Sequence, residues 1–125
     1  MFDHIAFGVT DYATSKSFYL KALAPLGITS VNEGSMGIEI VGHGDASLCL
    51  QTALHKPAPM HLAFVARSRE EVEAFYRAAL EGGGKDNGAP GYRPRYHAGY
   101  YAAFVLDPDG HNVEAVFHDR QVTSS

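Results

Sequence analysis

Hydrophobic positions along the chain switch between two periods, and they do so twice. In "HIAFGV" (4–9), Ile5, Phe7 and Val9 alternate with His4, Ala6 and Gly8, the mark of a strand with one buried face. Phe18, Tyr19, Ala22, Leu23 and Leu26 then recur at helical spacing behind Asp11, a suitable N-cap. Three short runs follow, at 29–33, 36–41 and 47–52, and read as strands. In "HLAFVA" (61–66), Leu62 and Phe64 again alternate with His61, Ala63 and Val65. Ser68 and Glu71 form an S-x-x-E capping box ahead of Val72, Phe75, Tyr76, Ala79 and Leu80, a second apolar stripe that Gly82 to Gly84 end. "YYAAFVL" (100–106) and "NVEAVFH" (112–118) are strands joined by "DPDG", which suits a type I turn.

The two halves match residue by residue. Residues 1–27 lie over 58–84 without a gap: His4 on His61, Ala6 on Ala63, Phe7 on Phe64, Phe18 and Tyr19 on Phe75 and Tyr76, Gly27 on Gly84. An internal repeat of this kind defines the architecture before any finer reading. The expected fold is α+β: two β-α-β-β-β modules forming a cup-shaped mixed sheet with the helices outside. The whole chain, 1–125, is one domain made of modules 1–53 and 59–118, with "ALHKPAP" (53–59) between them and a loose tail at 119–125. Segment 82–99, rich in Gly and Pro, reads as a long loop able to carry function.

Length and composition suit a single soluble domain with a real core. With 10 basic against 14 acidic residues, the net charge of −4 argues against nucleic acid as the main partner. One cysteine, Cys49, excludes an intrachain disulfide and any all-cysteine metal site. No apolar run approaches a bilayer span, and no basic-then-apolar leader precedes the first strand. The expectation is a cytoplasmic protein without a membrane partner.

Strand parity picks out the chemistry. His4 and His61 stand on the faces opposite the large aliphatics, and small residues follow each of them there. In "NVEAVF", Glu114 shares a face with Asn112 and Val116, and a carboxylate inside so apolar a strand needs a cation or strong donors. In "SLCLQT", Leu48 and Leu50 take the helix side and leave Cys49 and Gln51 opposite. If the two halves curl together, one cavity is walled by His4, His61, Glu114 and either Gln51 or Cys49. Two imidazoles and a carboxylate form a facial set for a divalent metal with open positions. Segment "GYRPRYHAGYY" adds Arg93 and Arg95, natural clamps for a carboxylate or phosphate, and His97 and Tyr100, which can move a proton or donate to a bound oxygen. His43, His55, His111 and His118 fall in or near turns and read as surface residues, and Glu70, Glu71 and Glu73 as a solvated helix face.

In "DHIAFGV", "HLAF" and "LDPDGHNVEAV" the sequence resembles the vicinal oxygen chelate superfamily: glyoxalase I, extradiol dioxygenases, fosfomycin-modifying enzymes and bleomycin-resistance proteins. The resemblance covers about residues 2–118. It implies that His4, His61 and Glu114 bind a divalent ion (Fe, Mn, Ni, Co or Zn) and that Glu114 also takes part in the reaction. It implies a small, oxygen-rich substrate chelated through two oxygens, in a lyase, isomerase or dioxygenase reaction, and a homodimer. Gln51, Arg93, Arg95 and Phe104 are the expected substrate contacts, with His97 and Tyr100 as catalytic candidates. The departures narrow the reaction. Glyoxalase I would call for a second carboxylate where this chain has Gln51 or Cys49, and fosfomycin enzymes for Thr and Tyr where it has Ala6 and Phe104. The other reading is a sequestering protein of the bleomycin-resistance type, although such members lack the His/His/Glu set.

Overall fold

The computed structural model describes residues 1–123; Ser124 and Ser125, the end of the expected tail, lie outside the described residues. The elements run β1 (His4–Val9), α1 (Tyr12–Leu23) with a 3-10 turn at Ala24–Leu26, β2 (Ser30–Gly34), β3 (Gly37–Val41) and β4 (Ser47–Thr52). They continue through β5 (His61–Val65), α2 (Arg69–Glu81), β6 (Lys85–Tyr92), β7 (Tyr100–Leu106) and β8 (Asn112–His118). Both helix starts follow their local chemistry. The Asp11 carboxylate accepts from the Thr14 N–H at 3.1 Å, and Ser68 Oγ from the Glu71 N–H at 3.1 Å, each satisfying a donor the helix itself cannot.

The two modules form two four-stranded mixed sheets, in keeping with the expected α+β fold. Their strand orders are β1-β4-β3-β2 and β5-β8-β7-β6, the same order twice. β1 runs parallel to β4 and β5 parallel to β8; the remaining pairs are antiparallel. The register repeats as well, with Ala6 opposite Cys49 and Ala63 opposite Glu114. The second strand of the second module, β6, lies inside the segment read as a loop. Gly88, Pro90 and Gly91 erase its alternation, and register shifts flank Gly88 in its pairing with β7. That irregularity is tolerable because β6 is an edge strand.

One core joins the modules. Phe7, Val9, Phe18, Tyr19 and Leu23 of the first pack in the same cluster as Val72, Phe75, Ala79, Val105 and Val113 of the second, with α1 against α2. The "DPDGH" turn locks this packing. Tyr19 OH donates to Asp107 at 2.5 Å, and the Thr10 N–H and hydroxyl both donate to Asp109. The second Asp107 oxygen accepts from the Asp109 and His111 N–H groups at 2.9 and 2.8 Å. His111 is fully buried, contrary to its reading as a surface residue. Its Nδ1 accepts from the Met60 N–H at 2.8 Å, and its ring meets Phe7 edge-on at 5.5 Å.

Candidate active site on the second sheet

With the aliphatic faces of β1 and β5 spent on the core, the alternate residues turn outward. His4 and His61 side chains are 57% and 54% exposed. Beside His61 the sheet does something costly: the Glu114 side chain is only 1% exposed on a strand between Val113 and Ala115. Its oxygens are both engaged. His61 Nε2 stands 2.7 Å from Oε1, and Tyr100 OH donates to Oε2. A buried carboxylate so satisfied avoids most of its desolvation penalty. Burial, and then the Glu114 hydrogen bond, hold the Tyr100 phenol well above its ordinary ionisation range. It therefore keeps its proton and serves as a hydrogen-bond donor to Glu114.

The rest of this face is polar and aromatic. His97 Nε2 lies 3.0 Å from His118 Nδ1, the rings stacked 16° from parallel, and both rings pack edge-on to Tyr100. His118 thus belongs to the site's surroundings and not to a turn; its parity with Glu114 on β8 was the signal for this. The His61 ring centroid is 6.2 Å from that of Phe104. Beyond Phe104 opens a cavity of about 360 Å³ lined by Asn87, Arg93, Arg95, Tyr96, Phe104 and Asn112. Asn87 and Asn112 carried no motif; only the strand register, with Asn112 opposite His61, brings Asn112 here.

The first sheet presents a different face. His4 Nδ1 is 2.7 Å from the Asp3 carboxylate, and Ser47 Oγ donates to Glu39 at 2.8 Å. Of the two residues left open for the fourth wall, Cys49 holds the register position of Glu114, while Gln51 stands opposite Gly8 and is exposed. His4 does not join His61 and Glu114: among the described residues, no three His, Cys, Asp or Glu side chains converge to hold a metal. A single chain therefore offers two of the three expected donors. Those two suit a divalent ion in type, an imidazole nitrogen and a carboxylate oxygen already facing each other; two alone do not make a facial set.

Two equivalent β-α-β-β-β modules, each with a histidine opening its first strand, define a glyoxalase-like protein. The comparisons agree. The profile of the glyoxalase/bleomycin resistance protein/dioxygenase superfamily matches residues 1–115, and the chain belongs to that superfamily. A glyoxalase/bleomycin resistance protein from Albidiferax ferrireducens T118 is 30% identical with a TM-score of 0.82, over 94% of this chain and 98% of that one. A glyoxalase-related enzyme from Fulvimarina pelagi is 24% identical with a TM-score of 0.71, over 98% and 96%. The oxidase ChaP-H1 is 21% identical with a TM-score of 0.70, over 94% of each. These last two show the fold alone. No curated protein matches the chain. No described helix is long and apolar enough to cross a membrane.

Proposed function

We propose that this protein is a metal-dependent enzyme of the glyoxalase type, working as a homodimer on a small substrate chelated through two oxygens. The observation that carries the proposal is the His61–Glu114 pair: a buried carboxylate and a half-exposed imidazole, 2.7 Å apart, beside a cavity. His61 and Glu114 of one copy and His4 of a second would hold the ion. A divalent ion so held supplies Lewis acidity to the substrate oxygens. Tyr100 keeps Glu114 oriented and carries a proton within reach of that carboxylate. His97 and His118, bonded to each other, pack edge-on against the Tyr100 ring and fix its position beside Glu114.

A second copy is supported by what the single chain leaves open. β1 and β5 are edge strands with unpaired outer sides, and Val31, Met36, Leu54 and Val65 are exposed apolar side chains. Open strand edges and exposed apolar side chains, of which Val65 lies on β5 itself, are ordinarily covered. Metal titration by calorimetry, together with sedimentation, tests the reading. A dimer that binds one ion per chain, and loses it in Glu114→Ala and His61→Ala, is expected. A dimer whose metal content is the same in parent and variants would refute it.

The sequestering reading rests on one specific observation: hydrogen bonds from His61 and Tyr100 already satisfy Glu114 without an ion. It predicts ligand affinity that chelators leave unchanged.

A further inference from the structure

The cavity beside His61 carries cations that its own chain leaves unmatched. Neither Arg93 nor Arg95 forms an ion pair among the described residues, although the chain as a whole is acidic. Arg93 is nonetheless held in place. Its Nη2 donates to the Ala89 carbonyl at 2.8 Å, and its guanidinium carbon lies 5.3 Å from the centre of the Phe104 ring. Two glycines make its seat: a Cβ at Gly88 would stand 3.2 Å from Nη2, and one at Gly91 would stand 3.1 Å from Nη1. Gly88 also has a φ of +149°, which side chains rarely adopt. The guanidinium offers five N–H donors, and the Ala89 carbonyl takes one of them. Arg95 is exposed, its guanidinium carbon 5.0 Å from the centre of the Tyr96 ring. The other polar side-chain groups on the lining are the Tyr96 hydroxyl, which accepts from Arg95 at 3.2 Å, and the neutral amides of Asn87 and Asn112, bonded to each other at 3.2 Å.

A half-buried, fixed guanidinium without a carboxylate is a receptor for a planar oxyanion, since its fork matches a carboxylate through two parallel hydrogen bonds. The volume of about 360 Å³ is at the small end of ligand cavities. The rings of Phe104 and Tyr96 set two flat aromatic surfaces into an otherwise polar lining. We infer that the cavity selects a small, flat carboxylate. Its carboxylate sits on the fork of Arg93, backed by Arg95, with its planar body against the aromatic walls and its far end toward His61 and Glu114. That far-end contact rests on the function proposed above; the carboxylate contact stands without it.

The test is calorimetric titration of the purified protein, without added metal, with benzoate, benzamide and inorganic phosphate. Benzoate is expected to bind at least about tenfold more tightly than its neutral isostere benzamide and than phosphate, which lacks the flat body. Arg93→Gln should weaken benzoate about tenfold or more, and Arg93→Lys, which keeps the charge but not the fork, should recover only part of the loss. Circular dichroism and thermal unfolding of both variants establish that they are folded. Equal affinity for benzoate and benzamide overturns the inference, as does benzoate binding unchanged in a folded Arg93→Gln. Phosphate binding as tight as benzoate overturns the flat-ligand part. Benzoate binding that depends on Arg93 in a protein that takes up no metal upholds this inference while removing the metal reading; metal binding with no benzoate preference does the reverse.

Discussion

A site shared between two copies can be tested by mixing two broken ones. His4→Ala removes one donor and leaves His61 and Glu114 intact; Glu114→Ala does the converse. Each homodimer then lacks a donor at both of its sites. In a heterodimer, one site combines His4 of the second variant with His61 and Glu114 of the first and is whole, while the other lacks both. Random reassortment of equal amounts makes half of the dimers mixed, so roughly a quarter of the parental sites return. The loss to be rescued is large. If full coordination contributes on the order of 10–16 kcal/mol, as in structural zinc sites, one donor accounts for about 3–5 kcal/mol, or roughly a hundredfold to a few thousandfold in affinity. Co-expressing the two variants with different tags and purifying through both yields heterodimer alone, which should bind one ion per dimer by mass spectrometry of metal content. The structure motivates the design, because His4 and His61 open strands of two different sheets and no third donor joins His61 and Glu114 among the described residues. A heterodimer no better at binding metal than its parents would refute the shared site, and so would His4→Ala binding metal with parental affinity.

Further outcomes follow from the same contacts. Tyr19→Phe removes the buried hydrogen bond to Asp107 and should cost about 2 kcal/mol, seen as a drop in Tm of roughly 8 °C. Its pH dependence has a definite sign. Burial first, and then the Asp107 charge, raise the folded-state pKa of Tyr19 above its ordinary value, so its contribution is fully present below about pH 10 and is lost as pH rises beyond that. The alkaline limb of the parental stability curve should therefore flatten in Tyr19→Phe, while the variant remains less stable at neutral pH. Ser68→Ala removes the cap on α2 and should cost about 1 kcal/mol in urea unfolding without changing the m-value. Gly99→Ala would place a Cβ 2.1 Å from the Asp119 carbonyl oxygen at a φ of +84°. A loss of about 2 kcal/mol or more is expected by thermal unfolding, and a variant as stable as the parent would show that the 92–100 connection rearranges freely.

The fold was legible because the repeat wrote it twice. Strand alternation in 4–9 and 61–66, two capped amphipathic helices and the "DPDG" turn all survive in the structure. What hid β6 was its own chemistry, since Gly88, Pro90 and Gly91 break the period-2 pattern that identifies a strand. Those glycines have a use that sequence does not reveal, because the space they leave is filled by the Arg93 guanidinium. His111 was misread for a related reason. It follows a turn, where histidines are usually solvated, but this turn is pressed against the first module and its imidazole serves the Met60 N–H. Within the site, parity placed Glu114 beside His61, and both oxygens of the carboxylate have partners. Parity could not say whether two faces carrying histidines look at each other, because that depends on how the modules pack and not on either strand.

Register supplies the last step. Cys49 faces Ala6 as Glu114 faces Ala63, so the halves agree on the histidine and differ at the next ligand position. A carboxylate is a charged oxygen ligand at neutral pH, whereas a thiol must first ionise to bind metal. The first sheet alone therefore has a histidine without a carboxylate at the equivalent place, and the second has both. On the proposed reading this asymmetry sets the division of labour: the second module supplies the paired donors and the proton carried by Tyr100, and the first supplies His4 to its neighbour. Substituting Cys49→Glu would restore the symmetry. If the two faces meet across a dimer, that variant should add a fourth donor and tighten metal binding several-fold in calorimetry. Unchanged affinity would mean that the first sheet's face does not approach the second.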